Sequence, residues 1–169
     1  SLFQVSRALA TRPSTLDVLP EIARILRQDA AMTRVWITLG SDPSSERVAA
    51  DTNSGPLPAP ALHFVLQRAP GDAPARWSRV HRPASQRSTP QKDAVVYRVR
   101  IDAGGEAYGS IWAVRPRARQ EPDRTETQLL AASADQLGQA LRQERLAAEA
   151  QAAEVARQAP MPLATNMCV

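Results

Sequence analysis

Two adjacent glycines, Gly104 and Gly105, constrain the fold of this chain more than any other feature. They separate two runs rich in β-branched and aromatic residues, 94–103 and 106–114, and adjacent glycines supply the positive φ angles that a two-residue hairpin turn requires. The sequence therefore predicts a β-hairpin over residues 94–114. A plain two-residue turn also sets the facing pairs, which are Ile101 with Tyr108, Val99 with Ser110, Tyr97 with Trp112 and Val96 with Ala113.

Both faces of this predicted hairpin are substantially apolar. One carries Tyr97, Val99, Ile101, Tyr108, Ser110 and Trp112, and the other carries Val96, Arg98, Arg100, Gly109, Ile111 and Ala113. A sheet that is buried on two sides needs a covering layer on each. We therefore expect an α/β (α+β) fold of three layers, with a central antiparallel sheet of about five strands and helices on both faces.

The rest of the chain supplies the other elements of such a sheet. Apolar spacing predicts helices over 1–10 and 15–29, strands over 33–39 and 46–51, a short helix over 59–68, and an edge strand over 77–80. Seven of the fourteen prolines fall within 52–90, so most of that segment is predicted to be loop, either mobile or part of a binding site.

A long helix without internal proline is predicted over residues 123–158. Read in sevens, one row is Ala134, Leu141, Ala148 and Val155, and the other is Leu130, Leu137, Glu144 and Gln151. The apolar first half is expected to pack on the domain core, residues 1–122, and the second half to leave it as a weak coiled coil. The tail, 159–169, is predicted to be unstructured. A homodimer through the terminal helices would use Leu2, Val5, Leu9, Leu130, Leu137, Leu141, Ala148 and Val155.

Composition excludes several classes of function. The chain of 169 residues has 21 basic and 17 acidic residues, a net charge of only +4, and no basic stretch interleaved with aromatics, so we expect no nucleic-acid partner. Its only cysteine, Cys168, cannot form an internal disulfide or a zinc site of several cysteines. No apolar run is long enough to span a membrane. The absence of an internal disulfide fits a reducing cytoplasm, which is the expected location, and the start at Ser1 suggests a piece of a longer protein.

Four segments resemble a GAF domain. The opening helices are LFQVSRALATRPSTLDVLPEIARIL, the first long strand is TRVWITLG, the closing hairpin is VYRVRIDAGGEAYGSIWAV, and the exit helix is DRTETQLLAASADQLGQALRQERL. The exit helix resembles the one that in bacterial two-component sensor histidine kinases continues into the dimerisation helix. The resemblance covers residues 1–158 and implies a non-catalytic sensory or regulatory module that signals to a downstream kinase domain.

Departures from the family narrow what this resemblance implies. No histidine followed by Glu or Asp, Leu and Arg comes after the exit helix, and no glycine-rich ATP lid occurs, so this chain is expected not to be an enzyme. Phytochrome-like members attach a bilin through a cysteine, and Cys168 does not match that position. The reductases of this fold that act on methionine sulfoxide use several cysteines, and the cyclic-nucleotide signature needs residues that this chain scarcely has. The identity of any ligand or cofactor stays open.

Six residues are candidates for ligand binding: Trp36, His63, Tyr97, Arg98, Ser110 and Trp112. Haem-binding members of the fold use one histidine as axial ligand, which makes His63 or His81 conceivable, although a helix-surface or pocket-rim histidine is the simpler interpretation. Trp36, Tyr97 and Trp112 could form a wall for a flat ligand with Ser110 as hydroxyl donor, or they could be core. Arg98, on one face with Arg100, could clamp an anion, or both could be solvated arginines at the sheet edge.

Three functional hypotheses follow. The first is the regulatory GAF module of a sensor histidine kinase, which binds a small ligand or relays a signal through its dimeric helices. The second is a GAF module of a transcription regulator or diguanylate cyclase, or a dimerisation spacer without a ligand. The third is an enzyme, for which the sequence offers no nucleophile or acid-base pair.

Overall fold

The computed structural model describes residues 1–58, 63–68, 75–80, 94–116 and 119–160. The helices are α1 (Leu2–Thr11), α2 (Thr15–Asp29) and α3 (Arg124–Gln158). The strands are β1 (Arg34–Leu39), β2 (Arg47–Asp51), β3 (His63–Gln67), β4 (Arg76–Val80), β5 (Ala94–Ala103) and β6 (Glu106–Pro116). Within these ranges no helix has the length and apolar character needed to cross a bilayer.

The six strands form one sheet in the order β2-β1-β6-β5-β3-β4. The mixed α/β class, the packing of helices on the sheet and the long C-terminal helix are confirmed, with all three described helices on one face. The sheet has six strands rather than about five, and it is not wholly antiparallel because β3 runs parallel to β5. The helix predicted over 59–68 is wrong for the part described, since residues 63–67 form β3 with Phe64 and Leu66 buried at a spacing of two.

The central hairpin forms as predicted around Gly104 and Gly105, but its register differs by one residue. Gly109 faces Ile101 and Ala107 faces Asp102, so Tyr108 is an extra residue that makes a β-bulge. Consequently Val99 faces Ile111, Tyr97 faces Ala113 and Arg98 faces Trp112. The bulge places Tyr97 and Trp112 on opposite faces, and the predicted facing of Tyr97 with Trp112 is wrong.

The main core lies between the sheet and the three described helices, which contact one another on one face. Its fully buried side chains include Leu19, Ile22 and Leu26 from α2, Ile37, Ile101 and Ile111 from the sheet, and Leu130 and Leu137 from α3. Alternation along the strands puts every second residue of β1, β5 and β6 into this core. The intervening residues, among them Trp36, Val96 and Val114, form a second buried cluster on the other face.

A buried arginine fixes the start of α3 to this core. Arg115, whose side chain is 6% exposed, pairs with Glu126 at 2.6 Å and donates to the carbonyl of Ala30 at the end of α2. The Glu126 carboxylate also accepts a hydrogen bond from the backbone N–H of Asp123, and the Asp123 carboxylate accepts one from the backbone N–H of Glu126. These two hydrogen bonds form a capping box. The base of α3 is therefore bound both to β6 and to α2.

The first half of α3 lies close against the central hairpin. A Cβ atom built at Gly138 would be 2.5 Å from the carbonyl oxygen of Asp102, so only glycine allows this approach. From Arg145 to its end the helix is exposed. At 35 residues and about 1.5 Å per residue it is about 50 Å long, and a little over half of it packs on the domain.

Replacing Gly138 with alanine is therefore expected to destabilise the fold by about 1–3 kcal/mol, because the new methyl overpacks the contact with Asp102. In an ordinary helix the same change stabilises by about 1 kcal/mol, so the sign is the test. Urea unfolding followed by circular dichroism measures it. The matched control is Gln139→Ala at the neighbouring exposed position, expected within about 0.5 kcal/mol of the parent. A raised midpoint for Gly138→Ala would contradict the close packing.

Candidate ligand-binding face

The face of the sheet opposite the described helices carries a group of polar and aromatic side chains. Alternation brings residues from four strands to this face, and they are Trp36 and Thr38 of β1, Ser110 and Trp112 of β6, Arg98 of β5, and His63 of β3. Five of the six candidate residues therefore share one face: Trp36, His63, Arg98, Ser110 and Trp112.

Glu46, immediately before β2, organises the polar half of this group. Its side chain is 8% exposed, and its carboxylate pairs with the Arg98 guanidinium at 2.8 Å. It also accepts hydrogen bonds from the hydroxyls of Ser110, at 3.0 Å, and Thr38. The Arg98 Nε–H in turn donates to Ser110 Oγ at 2.9 Å. A single carboxylate thus holds three side chains from three central strands in one orientation.

The hydrogen-bonded chain continues into the aromatic half. The indole N–H of Trp112 donates to Thr38 Oγ1 at 2.9 Å, so Thr38 links Trp112 to Glu46. The Arg98 guanidinium lies 5.0 Å from the centroid of the Trp112 ring, a cation–π distance. The position and orientation of Trp112 are therefore fixed by contacts with two neighbouring strands.

Three rings form a row across the sheet. Trp36 stacks on Trp112 with centroids 5.7 Å apart and planes 3° from parallel, and His63 stacks on Trp112 at 5.0 Å and 20°. Trp36 is 4% exposed, whereas Trp112 and His63 are half-buried. Rings stacked in this way cover one another's faces, so the row presents a line of ring edges that can form the apolar floor of a binding site.

At the rim of this face, Arg34 holds the loop that follows β2. Its guanidinium pairs bidentately with Asp51 and donates to the carbonyls of Gly55 and Pro56, both at 3.0 Å. Burial raises the pKa of the Asp51 carboxyl, but the hydrogen bonds from Arg34 and from the Asn53 backbone outweigh it, and the pKa lies below its ordinary value. Asp51 therefore stays ionised and the loop stays bound at neutral pH.

Tyr97, the sixth candidate, lies in the main core rather than on this face. Its ring packs against Phe64 at 5.5 Å and Trp77 at 4.9 Å between the centroids. Burial and the negative charge of Glu121 raise the pKa of its hydroxyl to about 12. It is a neutral core tyrosine on the helix side. Arg100, which the sequence predicts on the same face as Arg98, has a side chain that is 56% exposed and lies 3.5 Å from the Asp102 carboxylate.

The residues predicted to mediate dimerisation fall into three groups by exposure. Val5, Leu130 and Leu137 are fully buried within the single chain, so they stabilise its own core and cannot contact a second copy. Leu9 and Leu141 are partly buried against that core. Exposed to solvent are Leu2, Ala148 and Val155. Glu144, placed in the coiled-coil seam by the heptad pattern, instead accepts from the Thr15 N–H at 2.6 Å and caps α2.

A set of contacts joins the turn of the central hairpin to α3. Glu106, just after the turn, pairs with Arg145, and the Arg145 guanidinium lies 5.7 Å from the ring centroid of Tyr108. The Arg142 guanidinium covers Gly104 in the turn. The strands that carry Arg98, Ser110 and Trp112 are therefore in direct contact with the exit helix at their far end.

Sequence reasoning missed Glu46, Thr38 and Arg34. The sequence pattern places Glu46 only at the start of the predicted strand 46–51, where a carboxylate usually satisfies nearby backbone donors. Thr38 falls inside the predicted strand 33–39, and the pattern indicates no partner for it. One signal was present: Arg98, in the middle of an otherwise apolar strand, requires a carboxylate once it is buried. His81 and Cys168 lie outside the described residues.

The described residues show no arrangement for metal chemistry. Within the described ranges, no three His, Cys, Asp or Glu side chains are grouped so as to hold a metal ion. What the face offers is a fixed guanidinium, hydroxyls and stacked rings. Groups of these types can bind and orient a ligand.

Comparison with known proteins bears on the fold. No family model matches the chain, and no curated protein matches it. Among solved structures it is similar to a far-red absorbing protein in its dark state with bound biliverdin IXa, with a TM-score of 0.55 and 17% identity over 84% of this chain and 97% of that one. The chain therefore has a GAF-like fold.

Proposed function

We propose that this chain is a sensory GAF module that binds a small flat ligand on the face formed by Trp112, Arg98 and Ser110. The observation that carries the proposal is the largely buried Arg98, whose N–H donors are only partly used by partners in the described part of the chain. A guanidinium has five N–H donors, and the contacts to Ser110 and Glu46 use two of them. The others are held in a fixed orientation beside a stacked indole, where a polar edge of a flat ligand can bind.

The similar structure supports a small-molecule ligand but does not identify it. That protein has bound biliverdin IXa, an organic molecule with carboxyl groups. A row of three stacked rings with a guanidinium at its side suits the same general chemistry. The only cysteine of the chain is Cys168, outside the described residues, so we propose a non-covalent ligand.

Signal transmission would use the contacts between the hairpin turn and α3. A ligand that moves Arg98 or Trp112 also moves β5 and β6, whose turn is bound to α3 through Arg142 and Arg145. Glu144 marks the point where α3 leaves the domain, because it still caps α2 while the residues after it are exposed. Two states of this contact would bias the position of the free half of the helix.

For the parent protein we propose a cytoplasmic bacterial sensor histidine kinase of a two-component system. In this arrangement the chain itself is not an enzyme, it forms a homodimer through its terminal helices, and the exposed half of α3 leads to a downstream kinase domain. Leu2, Ala148 and Val155 are the predicted dimer residues that remain exposed to make such contacts. A transcription regulator, a diguanylate cyclase or a dimerisation spacer are the alternative contexts.

Native mass spectrometry of the purified chain tests ligand binding and dimerisation together. We expect a dimer with extra non-covalent mass that is lost on denaturation. Trp112→Leu removes the central ring, and we expect ligand occupancy to fall about tenfold, since the apolar contact with the indole and the ordered Arg98 beside it together are worth about 1–2 kcal/mol. The control is Phe64→Leu, which removes a ring on the helix side of the sheet, with occupancy unchanged.

Three outcomes would contradict parts of the proposal. A wild-type dimer without extra mass would favour the dimerisation spacer. A monomer would contradict the proposed assembly. Equal loss of ligand in Trp112→Leu and Phe64→Leu would contradict the location of the site, because the two rings lie on opposite faces of the sheet.

A further inference from the structure

A second cleft lies on the helix side of the sheet, between edge strand β4 and the start of α3. Its volume is about 320 Å³, and its lining includes Arg76, Trp77, Glu121, Pro122, Arg124 and Gln128. Ligand-binding pockets begin at about 300 Å³, so the cleft suits a single small ring with one substituent rather than an extended pigment. It lies on the opposite side of the sheet from Trp112 and shares no residue with that face.

The charge of the cleft favours an anion. Two guanidiniums, those of Arg76 and Arg124, and one carboxylate, that of Glu121, give a local formal charge of +2 − 1 = +1. Neither arginine has an ion-pair partner within the described ranges, in contrast to the nearby Arg115, which is neutralised by Glu126. Two unpaired guanidiniums at one cleft can hold a carboxylate from both sides.

The wall of the cleft also contains a polar group with no partner. The indole nitrogen of Trp77 is buried, and among the described residues no acceptor lies within hydrogen-bond distance of it. Buried indole N–H groups normally have a partner, because leaving one unpaired costs about 1–3 kcal/mol. An oxygen atom of a ligand bound beside Trp77 would supply the acceptor if the ring turns slightly toward the cleft.

We propose that this cleft binds a small organic acid, with its carboxylate between Arg76 and Arg124 and its flat body against Trp77 and Pro122. The position gives such a ligand a direct route to the exit helix. Arg124 is the first residue of α3, and Trp77 packs on Tyr97 in the centre of the core. The site is independent of the face proposed for the primary ligand.

The test follows the three indole N–H signals, those of Trp36, Trp77 and Trp112, in two-dimensional NMR spectra of the ¹⁵N-labelled chain, with Trp77→Phe to assign one of them. Benzoate is the probe and uncharged benzamide its matched control. We expect the Trp77 signal to move along a saturating curve with a Kd at or below about 1 mM, and benzamide to bind at least about tenfold more weakly.

Substitution of the two arginines tests whether benzoate binds in this cleft. In Arg76→Gln combined with Arg124→Gln, we expect benzoate affinity to fall at least about tenfold, because each charge-assisted hydrogen bond is lost. Both side chains are exposed, and the unmoved signals of Trp36 and Trp112 confirm that the variant is folded. Arg47→Gln, in the opposite edge strand, is the control and keeps full affinity. A Trp77 signal that does not move, that moves equally with benzamide, or that still moves in the double variant would overturn the proposal.

Discussion

Replacing Gly109 with alanine is expected to cost at least about 4 kcal/mol of folding free energy, enough to leave much of the protein unfolded at room temperature. A Cβ atom at this position would lie 2.0 Å from the carbonyl oxygen of Thr38 and 2.9 Å from Cα of Leu39. Both are backbone atoms of β1, so neither can move without breaking the pairing of β1 with β6. The φ of Gly109, +155°, adds strain for any L-residue.

A second glycine in the same hairpin distinguishes the close contact at Gly109 from the general cost of replacing a glycine. Gly105, in the same hairpin, has a φ of +79°, and a Cβ atom there would meet nothing within 4 Å. Gly105→Ala is therefore expected to cost only about 1–2 kcal/mol, the price of a positive φ. Urea unfolding by tryptophan fluorescence measures both variants. Similar midpoints for the two would show that β1 and β6 do not approach as closely as the structure has them.

Gly109 also explains why the sequence predicted the hairpin but not its register. Adjacent glycines identify a turn, and the turn formed where expected. The bulge at Tyr108 depends on a contact with β1, which is distant in sequence, and a periodic pattern carries no information about it. A glycine directly after a tyrosine within a strand was the local signal, because glycine inside a strand often marks a bulge or a close approach.

For β3, the local sequence pattern does not distinguish a helix from a strand. Leu62, Val65 and Leu66 fit helical spacing, and Phe64 and Leu66 fit strand spacing equally well in so short a run. Pairing with β5 and β4 decides between them, and that is a tertiary effect. The helices were better predicted, since α1, α2 and α3 are long enough for their apolar stripes to be unambiguous.

The candidate site was predicted in its residue types and not in its connections. Five of six residues share one face, but the carboxylate that orders them was not among them. Glu46 is 52 positions from Arg98, so their contact depends on the complete sheet, with β2 beside β1 and β6 beside β5. A buried arginine implies a partner but does not identify it.

Removing Glu46, the partner of Arg98, is expected to have the second large effect on folding free energy. Glu46→Ala is expected to cost about 3–5 kcal/mol, because it leaves the Arg98 guanidinium buried without a counter-charge. Arg98→Met is expected to cost a similar amount for the reverse reason. The double variant is expected to cost clearly less than the sum of the two, with a coupling energy of about 1–3 kcal/mol, since no unpaired charge remains. Urea unfolding of the four proteins measures the cycle.

An exposed pair on α3, Arg157 with Glu154, is the matched control, and Glu154→Ala is expected to change stability by no more than about 0.5 kcal/mol. Coupling near zero between Glu46 and Arg98 would mean that solvent reaches the pair, and the fixed guanidinium on which the ligand proposal depends would be lost with it. Strong coupling would mean that the Glu46–Arg98 pair excludes solvent. Arg98 would then be held by Glu46 before any ligand arrives, and its remaining donors would cost little further ordering on binding.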